Sequence, residues 1–152
     1  MHEPTVSDLL ACCASPTWAA AVACGGPYPD VAAVLVAADA ALDGLDWSEV
    51  EKALAAHPRI GDRATAAGRE AEWSRQEQAA AADGDRAELT RANAEYERVF
   101  DRVFLVDATG RSAAEILADL RARLGNDEET ERAVVRRELR GIVRRRLGRA
   151  FS

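Results

Sequence analysis

Val103-Phe104-Leu105-Val106-Asp107-Ala108-Thr109-Gly110-Arg111-Ser112-Ala113-Ala114-Glu115-Ile116-Leu117 is the stretch on which the fold class turns. Its first four residues form the only strand-like run in the chain, an unbroken series of β-branched, aromatic and aliphatic side chains. One such run has no second strand to pair with and cannot make a sheet by itself. It reads as an extended connector that ends at the turn signal Thr109-Gly110. Directly after it, Ser112 and Glu115 have capping-box spacing, and Ile116, Leu117, Leu120 and Leu124 recur on one helical stripe. A connector feeding a helix, with no sheet to join, makes the chain all-α.

Outward from this stretch the signals are helical. Upstream, Leu89, Ala92, Tyr96 and Phe100 recur at helical spacing. Downstream, Gly125-Asn126-Asp127 precedes a long final helix expected to end at about Leu147, with Val135, Leu139, Ile142 and Val143 as its apolar stripe. Toward the N-terminus, Ser7-Asp8 is expected to cap a short helix through Leu9, Leu10, Cys12 and Cys13. Ser15-Pro16 supplies an N-cap and a first-turn proline for a helix carrying Trp18 and Val22, which stops at Gly25-Gly26. Asp30 opens an Ala/Val-rich helix that ends near Gly44. Ser48 and Glu51 are expected to form a capping box for a helix carrying His57 in its last turn. Residues 58–68 read as a loop, and helical sequence resumes from about Arg69 past Ala82. The expectation is an all-α, single-domain bundle over residues 1–152 with about seven or eight helices and one short extended segment near 103–107.

Composition agrees with that class and removes several functions. The chain is 48% hydrophobic but only 5% aromatic, which favours closely packed helices over a β-sandwich. A net charge of −6 argues against nucleic-acid binding, and no apolar run is long enough to span a membrane. No basic segment followed by an apolar one marks a secretory signal, so a cytoplasmic protein is expected. Cys12, Cys13 and Cys24 are odd in number and lack Cys-x-x-Cys spacing. They read as small buried residues in a reducing compartment, with no metal site.

Chemistry concentrates first at His57, one of two histidines. The other, His2, is expected in a frayed tail. Pro58 and Gly61 place the His57 imidazole at a helix-to-loop boundary, where a group titrating near neutrality suits proton transfer. A histidine there also serves by interacting with the last carbonyls of the helix. Ser74, Glu77 and Gln78 share one helix face by spacing and either face solvent or line a pocket opposite His57. The arginines at 136, 137, 140, 144, 145 and 146 read mainly as a solvated face balanced by Asp127, Glu128, Glu129 and Glu131, with room for one turned inward.

Taken in order, these motifs resemble a known family. His57-Pro58-Arg59-Ile60-Gly61, Ser74-x-x-Glu77-Gln78 and Asn93-x-x-Tyr96-x-x-x-Phe100 are similar to the signature of 2-oxo-4-hydroxy-4-carboxy-5-ureidoimidazoline (OHCU) decarboxylase. So are Cys12-Cys13-x-Ser15-x-x-Trp18, Asp46-Trp47, Ser112 to Leu117, Arg123-Leu124-x-Asn126 with Glu131, and Arg146-Leu147. The resemblance implies an all-α, commonly homodimeric enzyme without metal or organic cofactor. Such enzymes decarboxylate OHCU to (S)-allantoin during urate breakdown. It implies His57 as general acid/base with Glu77 as its partner. It further implies substrate binding by Pro58, Ser74, Arg75, Gln76, Glu77 and Gln78, by an inward Arg146, and by the backbone of Phe104, Leu105, Val106, Asp107 and Ala108.

Two departures bear on one pocket wall. The family's Phe-Gly-Phe-like run is here Phe100-Asp101-Arg102-Val103-Phe104, and its Arg-Pro-Phe is here Gly26-Pro27-Tyr28. Asp107 also adds a carboxylate to the binding strip, compatible with an anionic ligand only if it points away. Rival classes are an enzyme on a related ureide or imidazoline, which would share His57 and Glu77, and a non-catalytic helical interaction module, which would bind no allantoin-like ligand.

Overall fold

Residues 1–57 and 86–151 are described by the computed structural model. They contain seven α-helices and no strand, in line with the all-α expectation. The helices are α1 (Val6–Cys12), α2 (Pro16–Cys24), α3 (Val31–Asp43), α4 (Trp47–Ala55), α5 (Arg86–Phe100), α6 (Ala113–Arg123) and α7 (Glu128–Phe151). The expected loop at 58–68, the helix from Arg69 past Ala82 and the break at Asp83-Gly84-Asp85 lie outside the described residues. The chain forms two compact units. One is Met1–Ala56 with Leu139–Ser152, the other His57–Glu138, so α7 contributes to both.

In the first unit, local chemistry sets the helix starts. Ser15 Oγ accepts from the Trp18 amide at 3.1 Å, and Pro16 occupies the first turn, where its missing N–H costs nothing. Asp30 does the same for α3, accepting from the Ala33 amide at 2.9 Å. Two expected caps move. Thr5, not Ser7, caps α1 by accepting from the Asp8 amide at 3.1 Å. No Ser48–Glu51 box forms, because α4 already begins at Trp47 behind Asp46, which makes no side-chain cap bond. The helix also ends at Ala55, so His57 follows its C-cap Ala56 instead of sitting in the last turn.

The core of this unit gathers Leu9, Trp18, Val22, Val34, Ala38, Leu42, Val50 and Leu54 with Leu139, Ile142, Val143 and Leu147 of α7. Trp18 Nε1 donates to the Ala38 carbonyl at 3.1 Å and fastens α2 to α3. His2 is not frayed. Its backbone exchanges hydrogen bonds with Tyr28 at 2.7 and 2.8 Å, and its ring meets Phe151 edge-on at 6.0 Å. Phe151 also ends the final helix, one turn past the expected Leu147. Tyr28 packs back on the end of α2. Tyr28 Oη donates to the Val22 carbonyl at 2.6 Å, and a Cβ on Gly25 would stand 2.6 Å from that hydroxyl. Cys12 and Cys13 are buried as expected, whereas Cys24 is exposed.

The second unit packs α5 on α6 around Leu89, Tyr96, Phe100, Phe104, Val106, Ala108, Ile116, Leu117 and Leu120. The Ser112–Glu115 capping box forms as expected, with both bonds present at 3.0 and 3.1 Å. Between α5 and α6 the chain runs without helix from Val103 to Ala108. Asp101, directly after α5, has φ of 56°, a left-handed conformation that most L-residues avoid. An αL position after a helix suits a residue without Cβ.

Asp101→Gly is therefore expected to stabilise the protein by about 0.5–1 kcal/mol in urea denaturation, and Asp101→Val to destabilise it by at least that much.

Candidate active site

A non-helical run inside an all-α unit has peptide groups without helix partners, so side chains must satisfy them. Phe104, Leu105, Val106 and Ala108 are buried and Asp107 is half-buried. Arg123, the last residue of α6, donates from Nη1 to the Leu105 carbonyl at 2.8 Å. Its guanidinium also lies over the Phe104 ring, 4.4 Å from the centroid. Glu138 of α7 accepts from the Asp107 amide at 3.2 Å and stands 3.7 Å from Arg111. The Arg111 amide returns to the Ala108 carbonyl at 3.1 Å and closes the turn before α6.

Arg123 is itself buried, at 3% exposure, against a fully buried Glu131. Glu131 Oε2 accepts from Arg123 Nε at 2.9 Å and Nη2 at 2.6 Å, and from the Tyr96 hydroxyl at 2.5 Å. Its Oε1 accepts from Asn126 Nδ2 at 3.0 Å. A buried carboxylate survives only when its lone pairs are filled this way. The electrostatics follow the geometry. Burial works against the Arg123 charge, but the hydrogen bond and field of Glu131 outweigh it and hold the guanidinium more firmly protonated than usual. Burial, then the Glu131 carboxylate, pushes the Tyr96 phenol from its ordinary 10.0 up to about 12.

The remaining expected site residues are placed as follows. His57 is half-buried just past α4. Arg146 is fully buried in the other unit and donates from Nη1 to the Cys12 carbonyl at 3.2 Å. It is the inward-turned arginine of the cluster. Arg140 and Arg144 pair with Asp43 and Asp39 of α3, so these two members of the Arg face are balanced from α3. Glu131, expected among the balancing acids, is committed to Arg123. Pro58, Ser74, Arg75, Gln76, Glu77 and Gln78 lie outside the described residues. Among the described residues, no group of three or more His, Cys, Asp and Glu side chains could hold a metal ion, and no helix is long and apolar enough to cross a membrane.

Glu138 escaped the sequence reading. The available signal was its spacing: Glu131, Val135 and Glu138 fall at i, i+4 and i+7, one inward stripe of α7. On that stripe Val135 is buried, Glu131 reaches Arg123, and Glu138 reaches Asp107.

The OHCU decarboxylase family model matches residues 2–148. The chain is 31% identical over 137 residues to the 2-oxo-4-hydroxy-4-carboxy-5-ureidoimidazoline decarboxylase of Amia calva, covering 87% of this chain and 78% of that protein. It is 29% identical over 147 residues to the uric acid degradation bifunctional protein TTL of Arabidopsis thaliana, covering 93% of this chain but only 45% of that one. The chain thus spans less than half the length of the plant relative. Among solved structures, an OHCU decarboxylase crystallised in the presence of (S)-allantoin superposes with a TM-score of 0.81 at 24% identity, covering 93% of this chain and 95% of the other. An (S)-allantoin synthase gives 0.68 at 18% identity, covering 96% and 49%. At these identities, the structures establish the shared fold.

The raised Tyr96 pKa fixes the sign of an alkaline transition. Between an unfolded value near 10 and the folded value of about 12, the native state keeps a proton that the unfolded state has lost. The stability this contributes is whole below the unfolded value and is lost as pH rises through the folded one. Urea midpoints are expected to fall between about pH 10 and about pH 12 in the wild type and to fall less in Tyr96→Phe.

Proposed function

This chain belongs to the OHCU decarboxylase family, and from that premise we propose that it decarboxylates OHCU to (S)-allantoin in urate degradation. The family match over nearly the whole chain carries the reading, supported by the relative named for this reaction. The match spans both compact units, which favours residues 1–152 acting as one functional domain.

The substrate's own chemistry defines what the protein must do. OHCU bears a carboxylate and a hydroxyl on one ring carbon, next to a C=N bond. When the C–CO2 bond breaks, its electron pair forms a carbon–carbon double bond, and the C=N π pair moves onto nitrogen, which takes a proton. The resulting enol then loses its hydroxyl proton as the carbonyl forms, and the neighbouring carbon takes a proton on one face. Carbon dioxide leaves and one proton is consumed overall. The imine is a built-in electron sink, so the proposed reaction draws on neither an organic cofactor nor a metal.

Three proton transfers and a fixed pose remain for the side chains. His57 acts as general acid/base, with Glu77 as its partner. Pro58 forms the wall beside the ring, and Ser74, Arg75, Gln76, Glu77 and Gln78 hold the substrate's polar edges. Phe104, Leu105, Val106, Asp107 and Ala108 offer backbone groups to the ureide. The Leu105 carbonyl and the Asp107 amide already serve Arg123 and Glu138, so ligand contacts fall to other peptide groups of the strip. Arg146 supplies a planar, permanently charged donor for the anionic substrate. Its burial supports that role, because a guanidinium shielded from water acts with less screening. The protein acts as a cytoplasmic homodimer on OHCU and allantoin, with no nucleic-acid or membrane partner.

The test is decay of OHCU generated in situ, followed together with the optical activity of the allantoin formed. Wild type is expected to give rapid decay and only the (S) product. His57→Ala is expected to lose about 10²–10⁴ in kcat while keeping its helical circular dichroism. Normal turnover by a folded His57→Ala contradicts the acid/base assignment. Decay no faster than the spontaneous background in wild type contradicts the substrate.

A further inference from the structure

We infer that Glu138 and Arg123 are positioning residues for the substrate-binding strip, acting through the two peptide planes that border Val106. The inference rests on the functional reading above, which sets Phe104–Ala108 against a ureide.

The geometry is determined by peptide planarity. Among the described residues the only cis peptide bond is Gly26–Pro27, so the bonds on both sides of Val106 are trans, with C=O and N–H pointing in opposite directions. Arg123 Nη1 draws the Leu105 carbonyl toward itself at 2.8 Å, which turns the Val106 N–H away from Arg123. Glu138 Oε1 draws the Asp107 amide at 3.2 Å, which turns the Val106 carbonyl away from Glu138. One residue thereby has its donor and its acceptor oriented by two separate side chains. A donor and an acceptor on one residue match the C=O and N–H of a ureide edge.

The two clamps differ in how they are supported. Arg123 is locked from behind by Glu131 and cannot rotate without unpairing a buried carboxylate. Glu138 is partly exposed, with Arg111 at 3.7 Å and Arg137 at 3.8 Å as ionic neighbours. Neither side chain is placed against reacting atoms, so their loss should weaken substrate binding far more than the chemical step.

Glu138 gives the sharper test because it is the less buried clamp. Glu138→Leu removes the acceptor, and Glu138→Gln keeps an oxygen at the same reach. The expected result is a KM for OHCU raised about fivefold or more in Glu138→Leu, with kcat within about twofold, and a near wild-type KM in Glu138→Gln. Amide exchange at Asp107 is expected to quicken in Glu138→Leu and not in Glu138→Gln. That readout needs no substrate. An unchanged KM in Glu138→Leu, or an equal rise in both variants, overturns the inference. Should Glu138→Leu fail to fold, Arg123→Lys replaces it, with the same expected rise in KM and the same contradiction if KM is unchanged. If wild type leaves OHCU untouched while exchange at Asp107 still separates Leu from Gln, the functional reading fails and the clamp itself stands.

Discussion

The buried ion pair between Arg123 and Glu131 is the constraint on which the second unit depends. Removing two charges from water is costly, and the pair is tolerable only because each polar atom is engaged. Glu131 receives four hydrogen bonds, and Arg123 spends its remaining Nη1 on the Leu105 carbonyl. The same guanidinium covers Phe104, whose ring packs on Tyr96 at 5.2 Å. Four separate segments (α5, the non-helical run, α6 and α7) therefore meet at one charged group. An apolar core of equal volume could match the stability. It could not hold a particular carbonyl in a particular direction, and that is what the proposed binding strip requires.

Much of this was legible in the sequence, and the reasons are local. The Ser15-Pro16, Asp30 and Ser112/Glu115 starts were readable because a cap acts within three residues of itself. The strip at 103–108 was readable because a lone strand-like run has nothing to pair with. Where the reading failed, a competing local signal was present. Ser48 and Glu51 have ideal box spacing, yet α4 begins two residues earlier because Asp46 already leaves the chain extended, with ψ of 153°. Ser7-Asp8 lost to Thr5 for a similar reason: a threonine two residues upstream caps as well.

What was not legible involves long-range partners. Glu131 was read as one member of an acidic run that offsets a helix dipole, a sound reading of its neighbours. Its true partner, Arg123, comes from the preceding helix across a turn, and Tyr96 lies 35 residues away. Asp39 and Asp43 answer Arg144 and Arg140 from about 100 residues off, which spacing along the chain does not reveal. The pinning of His2 by Tyr28 and Phe151 is of the same kind. Of the candidate site, the non-helical run and the inward Arg146 were both anticipated. Glu138 was not, because a glutamate on an Arg-rich helix looks like one more surface charge.

The most direct measurement of the central claim, that the Arg123–Glu131 pair organises this unit, is a double-mutant cycle in urea with Arg123→Met and Glu131→Leu. Each single substitution strands a buried charge and is expected to cost about 3–5 kcal/mol, or to prevent folding altogether. The double variant is expected to fold and to lose at least about 1 kcal/mol less than the sum of the singles. Single variants within about 1 kcal/mol of wild type, with additive losses in the double, would contradict the claim.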